Sequence, residues 1–97
     1  MVRIGVLGCG RIGRMHAANI AAHPRAQLGG VFDLHRPAAE EVSASLNARL
    51  YDSADAVLAS GDVDAVLIAS STPTHADLLE AAVAAGKPVL CEKPIDL

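Results

Sequence analysis

Apolar and polar positions along this chain alternate between two kinds of block. Short runs that are apolar on both faces are followed by longer segments whose apolar residues recur every three or four positions. Val2 to Leu7 is a run of the first kind, and it stops at Gly8. Such a run fits a buried parallel strand. From Ile12 to Ala22 the residues Ile12, Met15, Ala18 (or Asn19) and Ala22 keep helical spacing, which puts Met15 in the core, and Pro24 ends the segment. Leu28 to Phe32 reads as the second strand, with Asp33 at its carboxyl end. Pro37 suits the first residue of a helix that runs to about Asn47. Arg49 to Tyr51 reads as a weak, short strand. Ser53 caps a brief helix from Ala54 to Ala59, closed by Gly61. Ala65 to Ser70, uncharged throughout, is the strongest strand pattern. Thr74 to Asp77 reads as a capping box opening a helix that ends at Gly86, and Val89 to Cys91 as a final strand.

Strand and helix in alternation mean parallel strands joined by right-handed crossovers. The expected fold is α/β, a Rossmann-type doubly wound parallel sheet of about five strands in the order 3-2-1-4-5. The 97 residues make one domain, with one Tyr, one Phe and no Trp. Its core is therefore built from Ala, Val, Leu and Ile. A net charge of -3 and a pI near 5.7 argue against nucleic acid or an anionic membrane as partner. No apolar run approaches the roughly 18 residues that cross a bilayer. Cys9 and Cys91 make no disulfide framework, and no Cys/His spacing suggests zinc, so a cytoplasmic, metal-free protein is expected.

Gly8-Cys9-Gly10-Arg11-Ile12-Gly13 is a G-x-G-x-x-G, a weak signal alone. Its context strengthens it. It follows a strand, opens a helix, and precedes an acidic residue, Asp33, by about 20 positions at the end of the next strand. Gly8 permits the tight turn, Gly10 lets backbone approach a pyrophosphate, and Gly13 lets helix pack on strand. The N–H groups of Arg11, Ile12 and Gly13 then face the phosphates at the positive end of the helix. Asp33 accepts from the adenosine ribose hydroxyls and repels a 2′-phosphate, which favours NAD over NADP. Arg36 is either a partner for a 2′-phosphate or adenine, or a solvated residue at a helix start.

Ligands of open parallel sheets bind outside the carboxyl ends of the strands. Two further segments reach that edge: Ser70-Ser71-Thr72-Pro73-Thr74-His75 and Glu92-Lys93-Pro94. Together with the glycine turn they resemble the amino-terminal domain of the Gfo/Idh/MocA oxidoreductase family. Within it, the run from Asp64 to Leu97 most resembles the inositol 2-dehydrogenases. The resemblance covers the whole chain in order and spacing, and Glu-Lys-Pro is its most specific part.

The resemblance implies NAD-dependent oxidation of a secondary hydroxyl on a cyclic polyol or sugar, with a homo-oligomer as the full-length form. It implies that Lys93 is the catalytic lysine, near the nicotinamide and the reacting hydroxyl. It also implies that Glu92 and the loop bearing Ser70, Ser71, Thr72, Thr74 and His75 line the ribose–nicotinamide pocket. Family members continue past the position of Leu97 into a sixth strand and a substrate domain that holds the usual acid/base His. Residues 1–97 are thus expected to be a truncated dinucleotide-binding domain, inactive alone and prone to self-association. The alternative is a non-catalytic NAD-binding sensor or scaffold. Plainer roles also stand for single residues: a helix-start hydrogen bond for His75, packing for His16, loop positions for His23 and His35, and an ion pair between Glu92 and Lys93.

Overall fold

A computed structural model describes residues 2–69 and 72–91, the side chains of 72–76 and of 91 excepted. Its elements are β1 (Val2–Leu7), α1 (Arg11–Ala22), β2 (Ala26–Phe32), α2 (Arg36–Leu46), α3 (Ala54–Ala59), β3 (Ala65–Ile68), α4 (Thr72–Ala84) and β4 (Val89–Cys91). The four strands form one parallel sheet in the order β2-β1-β3-β4. The strand expected over Arg49 to Tyr51 shrinks to a single parallel bridge, Leu50 to Val31, on the outer side of β2. It sits where the order 3-2-1-4-5 puts it. Asn47, left-handed at φ 53°, ends α2 just before it.

Period-two alternation sorts the strand side chains into two cores. Ile4, Val6, Val31 and Leu67 pack with Ala17 and Ile20 of α1 and Ala39 and Val42 of α2. Leu7, Val66 and Ile68 pack on the other face with Val57 and Leu58 of α3 and Ala82 of α4. Val6, Leu7, Val66 and Ile68 are wholly buried, each contributing about 1.5–3 kcal/mol relative to exposure. Helices on both faces of a parallel sheet make the fold doubly wound.

Two expectations are corrected. The buried face of α1 is Gly13, Ala17 and Ile20, while Met15 and Ile12 are almost half exposed. Counting apolar residues alone picked the neighbouring stripe. Gly13 decides the rotation, because it lies against the backbone of Gly8 and so must face the sheet. Thr74 does not cap α4, since the helix is already under way at Thr72. Pro73, with its fixed φ and missing N–H, fits the first turn and moves the start upstream. At the other end Gly86 stands as expected. Its N–H donates to Val83 O at 3.0 Å and that of Lys87 to Ala82 O at 3.1 Å, a Schellman closure.

At the amino edge of the sheet, opposite the glycine turn, Arg3 grips Asp64. Its Nε and Nη2 donate to the two carboxylate oxygens at 3.0 Å each, and its backbone N–H donates to Oδ2 at 2.9 Å. These bonds hold the Asp64 carboxyl down at about 2. The folded state thus favours the carboxylate form. Its contribution is complete above the unfolded value of about 4 and disappears as pH falls through the folded value. Acid unfolding followed by circular dichroism should lose stability across that window in the wild type, and Asp64→Asn should flatten that part of the profile. A profile identical in both would refute the clamp. The pair is exposed, so the expected effect is modest.

Candidate functional site

The carboxyl ends of β1, β2 and β3 open onto a cleft of about 620 Å³. Gly8 and Gly10 form one wall and Asp33, Leu34 and His35 the next. Ser53 to Asp55 at the start of α3, with Asp77 and Leu78 of α4, close the far side.

The glycine turn is built by three different demands. Gly8 sits at φ 109°, a backbone conformation open chiefly to glycine. A Cβ on Gly13 would lie 1.8 Å from Gly8 O, so helix and strand approach as backbone on backbone. Gly10 is different: its backbone is extended, and a Cβ there would meet nothing within 4 Å. The protein's own packing does not require glycine at that position, and its absent side chain leaves the turn open there. The first bond of α1 runs from Arg14 N–H to Gly10 O, at 2.8 Å. The N–H groups of Arg11, Ile12 and Gly13 therefore have no partner within the helix. With no side-chain cap and no acidic residue in the first turn, this helix start suits a phosphate.

Asp33 stands at the carboxyl end of β2, half-buried and beside the turn. Its Oδ2 accepts from Cys9 N–H at 2.6 Å and its Oδ1 from His35 N–H at 2.7 Å. Each carboxylate oxygen keeps a further lone pair for a ribose hydroxyl. The Cys9 thiol points away from the cleft into the core. Burial first, and the nearby Asp33 charge second, push it up to about 11, so it stays a neutral thiol.

Arg36 does not line the main cleft. Its Nη1 donates to Asp52 Oδ1 at 3.0 Å and its Nε lies 3.5 Å from Glu40 Oε2. Asp52 raises its pKa most, through that hydrogen bond and its charge, with Glu40 a smaller cause. Arg11 lines a separate hollow with Arg14, which pairs with Glu41. Ser70, Ser71, Glu92 and Lys93 lie outside the described residues, as do the side chains of Thr72, Thr74 and His75. His23 is a loop residue whose Nδ1 accepts from Arg25 N–H at 3.0 Å, and His35 stands at the N-cap position of α2 without a side-chain cap. Among the described residues no group of three His, Cys, Asp or Glu could hold a metal ion.

Leu34, Ser53, Asp55, Asp77 and Leu78 join the cleft although no motif in the sequence, including the helix-cap patterns at Ser53 and Asp77, pointed to a ligand there. Leu34 is the most accessible large apolar side chain among the described residues at 79% exposure, next to Asp33. Its position directly after the acidic residue was the available signal. Asp55 and Asp77 come from crossovers on the second face, and only the folded sheet brings them to the edge. The arrangement fits a dinucleotide. The helix start and Gly10 suit its pyrophosphate, Asp33 a ribose, and the apolar Leu34, Ala54 and Leu78 a base.

Comparison with known proteins agrees with this geometry. Residues 2–97 match the model of an oxidoreductase family, Gfo/Idh/MocA, described by its NAD-binding Rossmann fold. The inositol 2-dehydrogenase of Rhizobium meliloti is 45% identical over 96 residues, covering 99% of this chain and 29% of the relative. The UDP-N-acetylglucosamine 3-dehydrogenase of Acidithiobacillus ferrooxidans is 47% identical, with the same coverage. A crystal structure of scyllo-inositol dehydrogenase from Lactobacillus casei, with bound NAD(H) and scyllo-inositol, superposes with a TM-score of 0.88 at 33% identity. The superposition spans 100% of this chain and 29% of that one. The chain thus spans about 29% of the length of these relatives. With the fold, the glycine turn and the family match in agreement, this chain belongs to the Gfo/Idh/MocA oxidoreductases and forms their NAD-binding Rossmann domain.

Proposed function

We propose that this domain binds NAD in preference to NADP and serves an oxidoreductase that oxidises a secondary alcohol of a cyclic polyol or sugar. The observation that carries the cofactor preference is the placement of Asp33, whose carboxylate faces the cleft beside the turn. Asp55 and Asp77 add two more carboxylates to the lining, and among the described residues no Lys or Arg joins them there. Arg36, the nearest cation in sequence, is held by Asp52 and Glu40. A 2′-phosphate beside Asp33 would meet negative charge, with no cation among the described residues of the lining to offset it.

Bound NAD supplies the hydride acceptor. The chain's own residues would do the rest of the work on this side of the reaction. The N–H groups at the start of α1 hold the pyrophosphate, and Asp33 accepts from the ribose hydroxyls. Lys93 follows β4 by two residues in the sequence. It would hold the substrate hydroxyl and stabilise the developing alkoxide as its proton leaves. Glu92 and the Ser70–His75 segment would shape the ribose–nicotinamide end. The polyol or sugar class rests on the inositol and UDP-sugar dehydrogenases among the relatives.

Calorimetric titration with NAD⁺ and, in parallel, NADP⁺ tests the cofactor half. Binding of NAD⁺ at least tenfold tighter is expected, and equal affinity would overturn the preference. Appearance of reduced nicotinamide with myo-inositol, scyllo-inositol or UDP-N-acetylglucosamine tests the substrate class in the whole protein. NAD binding without turnover of any of these would leave a binding module instead.

A further inference from the structure

We propose that Asp33 has a second task beyond the ribose: it locks the phosphate-binding turn in the shape that receives the pyrophosphate. The proposal rests on the assignment of the cleft as the NAD site. The bonds themselves are local and directional. One carboxylate oxygen takes Cys9 N–H at 2.6 Å and the other takes His35 N–H at 2.7 Å. A single side chain therefore ties the loop after β1 to the loop after β2.

The Cys9 side chain is buried in the core, but the backbone of the turn has few other polar ties. Cys9 stands between Gly8 and Gly10, two residues with the widest backbone freedom. Gly8 N–H is anchored to Phe32 O at 2.8 Å, and Gly10 O is fixed by the first bond of α1. Among the described residues the only other polar tie between those points is the Cys9 thiol to Phe32 O, at 3.7 Å, a weak bond. Removing the carboxylate frees the Cys9 peptide to reorient and orphans its N–H. The turn then samples shapes that do not match a diphosphate. Apparent affinity falls in proportion to the fraction of competent shapes, so a turn correct one time in ten binds any diphosphate about tenfold more weakly.

This separates Asp33 as a positioning residue from Asp33 as a ribose acceptor. ADP presents diphosphate and ribose hydroxyls; 2′,3′-dideoxy-ADP presents the diphosphate without them. If Asp33 only accepted from the ribose, Asp33→Ala would bind the dideoxy ligand as the wild type does. The lock predicts that Asp33→Ala weakens 2′,3′-dideoxy-ADP about tenfold and ADP by more. Equal affinity of wild type and variant for the dideoxy ligand would overturn it. Asp33→Asn serves if the alanine variant does not fold. It keeps one acceptor but turns an amide NH₂ toward the other donor, so the same loss is expected at smaller size. Amide exchange gives a ligand-free readout. The Cys9 amide should exchange faster in either variant while the amides of β1 remain protected, and unchanged Cys9 exchange would overturn the lock. A wild type that binds neither ADP nor its dideoxy form would defeat the NAD-site assignment instead, and the exchange comparison would still decide the lock.

Discussion

Gly13→Ala should lower the melting temperature of this domain by roughly 15 °C and abolish NAD binding. A Cβ at that position lies 1.8 Å from Gly8 O and 2.7 Å from Gly8 C. Both are backbone atoms, so no side chain can swing aside. Relief requires α1 to lift from β1. That would open the core where Ala17, Ile20 and Val6 meet. Overpacking of a rigid site costs about 3 kcal/mol or more, against a total stability of about 5–15 kcal/mol for a domain. For a chain of this size the melting temperature should fall by roughly 15 °C. Calorimetry at low temperature, where some folded protein survives, should find no heat of NAD binding, because the shifted helix carries its N–H groups away from the turn. A melting temperature within a few degrees of the wild type would show that the approach of helix and strand is looser than 1.8 Å implies.

Gly10→Ala is the instructive contrast. Gly10 has extended backbone, and the added methyl meets no protein atom within 4 Å. Stability should be unchanged or slightly raised, since alanine narrows the unfolded ensemble. NAD affinity should nevertheless fall, because that methyl projects where a pyrophosphate would lie. One glycine thus serves the fold and the other, in the proposed binding mode, the ligand, three positions apart.

That difference was partly visible in the sequence. The spacing of Gly8, Gly10, Gly13 and Asp33 announced the βαβ unit because each position answers a local need of the turn. The strands Val2–Leu7 and Val89–Cys91 were legible to the residue, and Asp33 was correctly placed at the end of β2. The rotation of α1 was not legible. Ile12 and Met15 look like a core stripe, but close backbone contact at Gly13 overrides side-chain hydrophobicity. The rest of the cleft was hidden for a different reason. Asp55, Asp77 and Leu78 reach the site through the sheet order, a long-range property that no short window records. Arg36 shows the same limit: its pairing with Glu40 is local to α2, but its tie to Asp52 depends on how the bridge at Leu50 folds back beside β2.

Gly30→Ala should be the second severe substitution, acting through a single aromatic ring. In β2 the pairing with β1 skips a residue: Ile4 faces Leu28 and Gly5 faces Gly30, so Gly29 is bulged. The ring of Tyr51 lies across Gly30, and a Cβ there would fall 2.1 Å from Tyr51 Cε2 and 2.6 Å from Cδ2. The ring has little room to withdraw. Tyr51 is only 5% exposed, its hydroxyl is 2.9 Å from Ser60 Oγ, and the Arg49 guanidinium stacks over it at 4.7 Å. Displacing it would also strain the Val31–Leu50 bridge that holds this segment beside the sheet. The expected loss is about 2–3 kcal/mol, read as a lower urea midpoint at unchanged slope. A double-mutant cycle isolates the cause. Tyr51→Ala alone should destabilise by about 3–5 kcal/mol. Adding Gly30→Ala to that background should then cost far less than it does in the wild type, because the clashing ring is gone. Strict additivity of the two substitutions would mean that Gly30 is required for its backbone and not for the space it leaves to Tyr51.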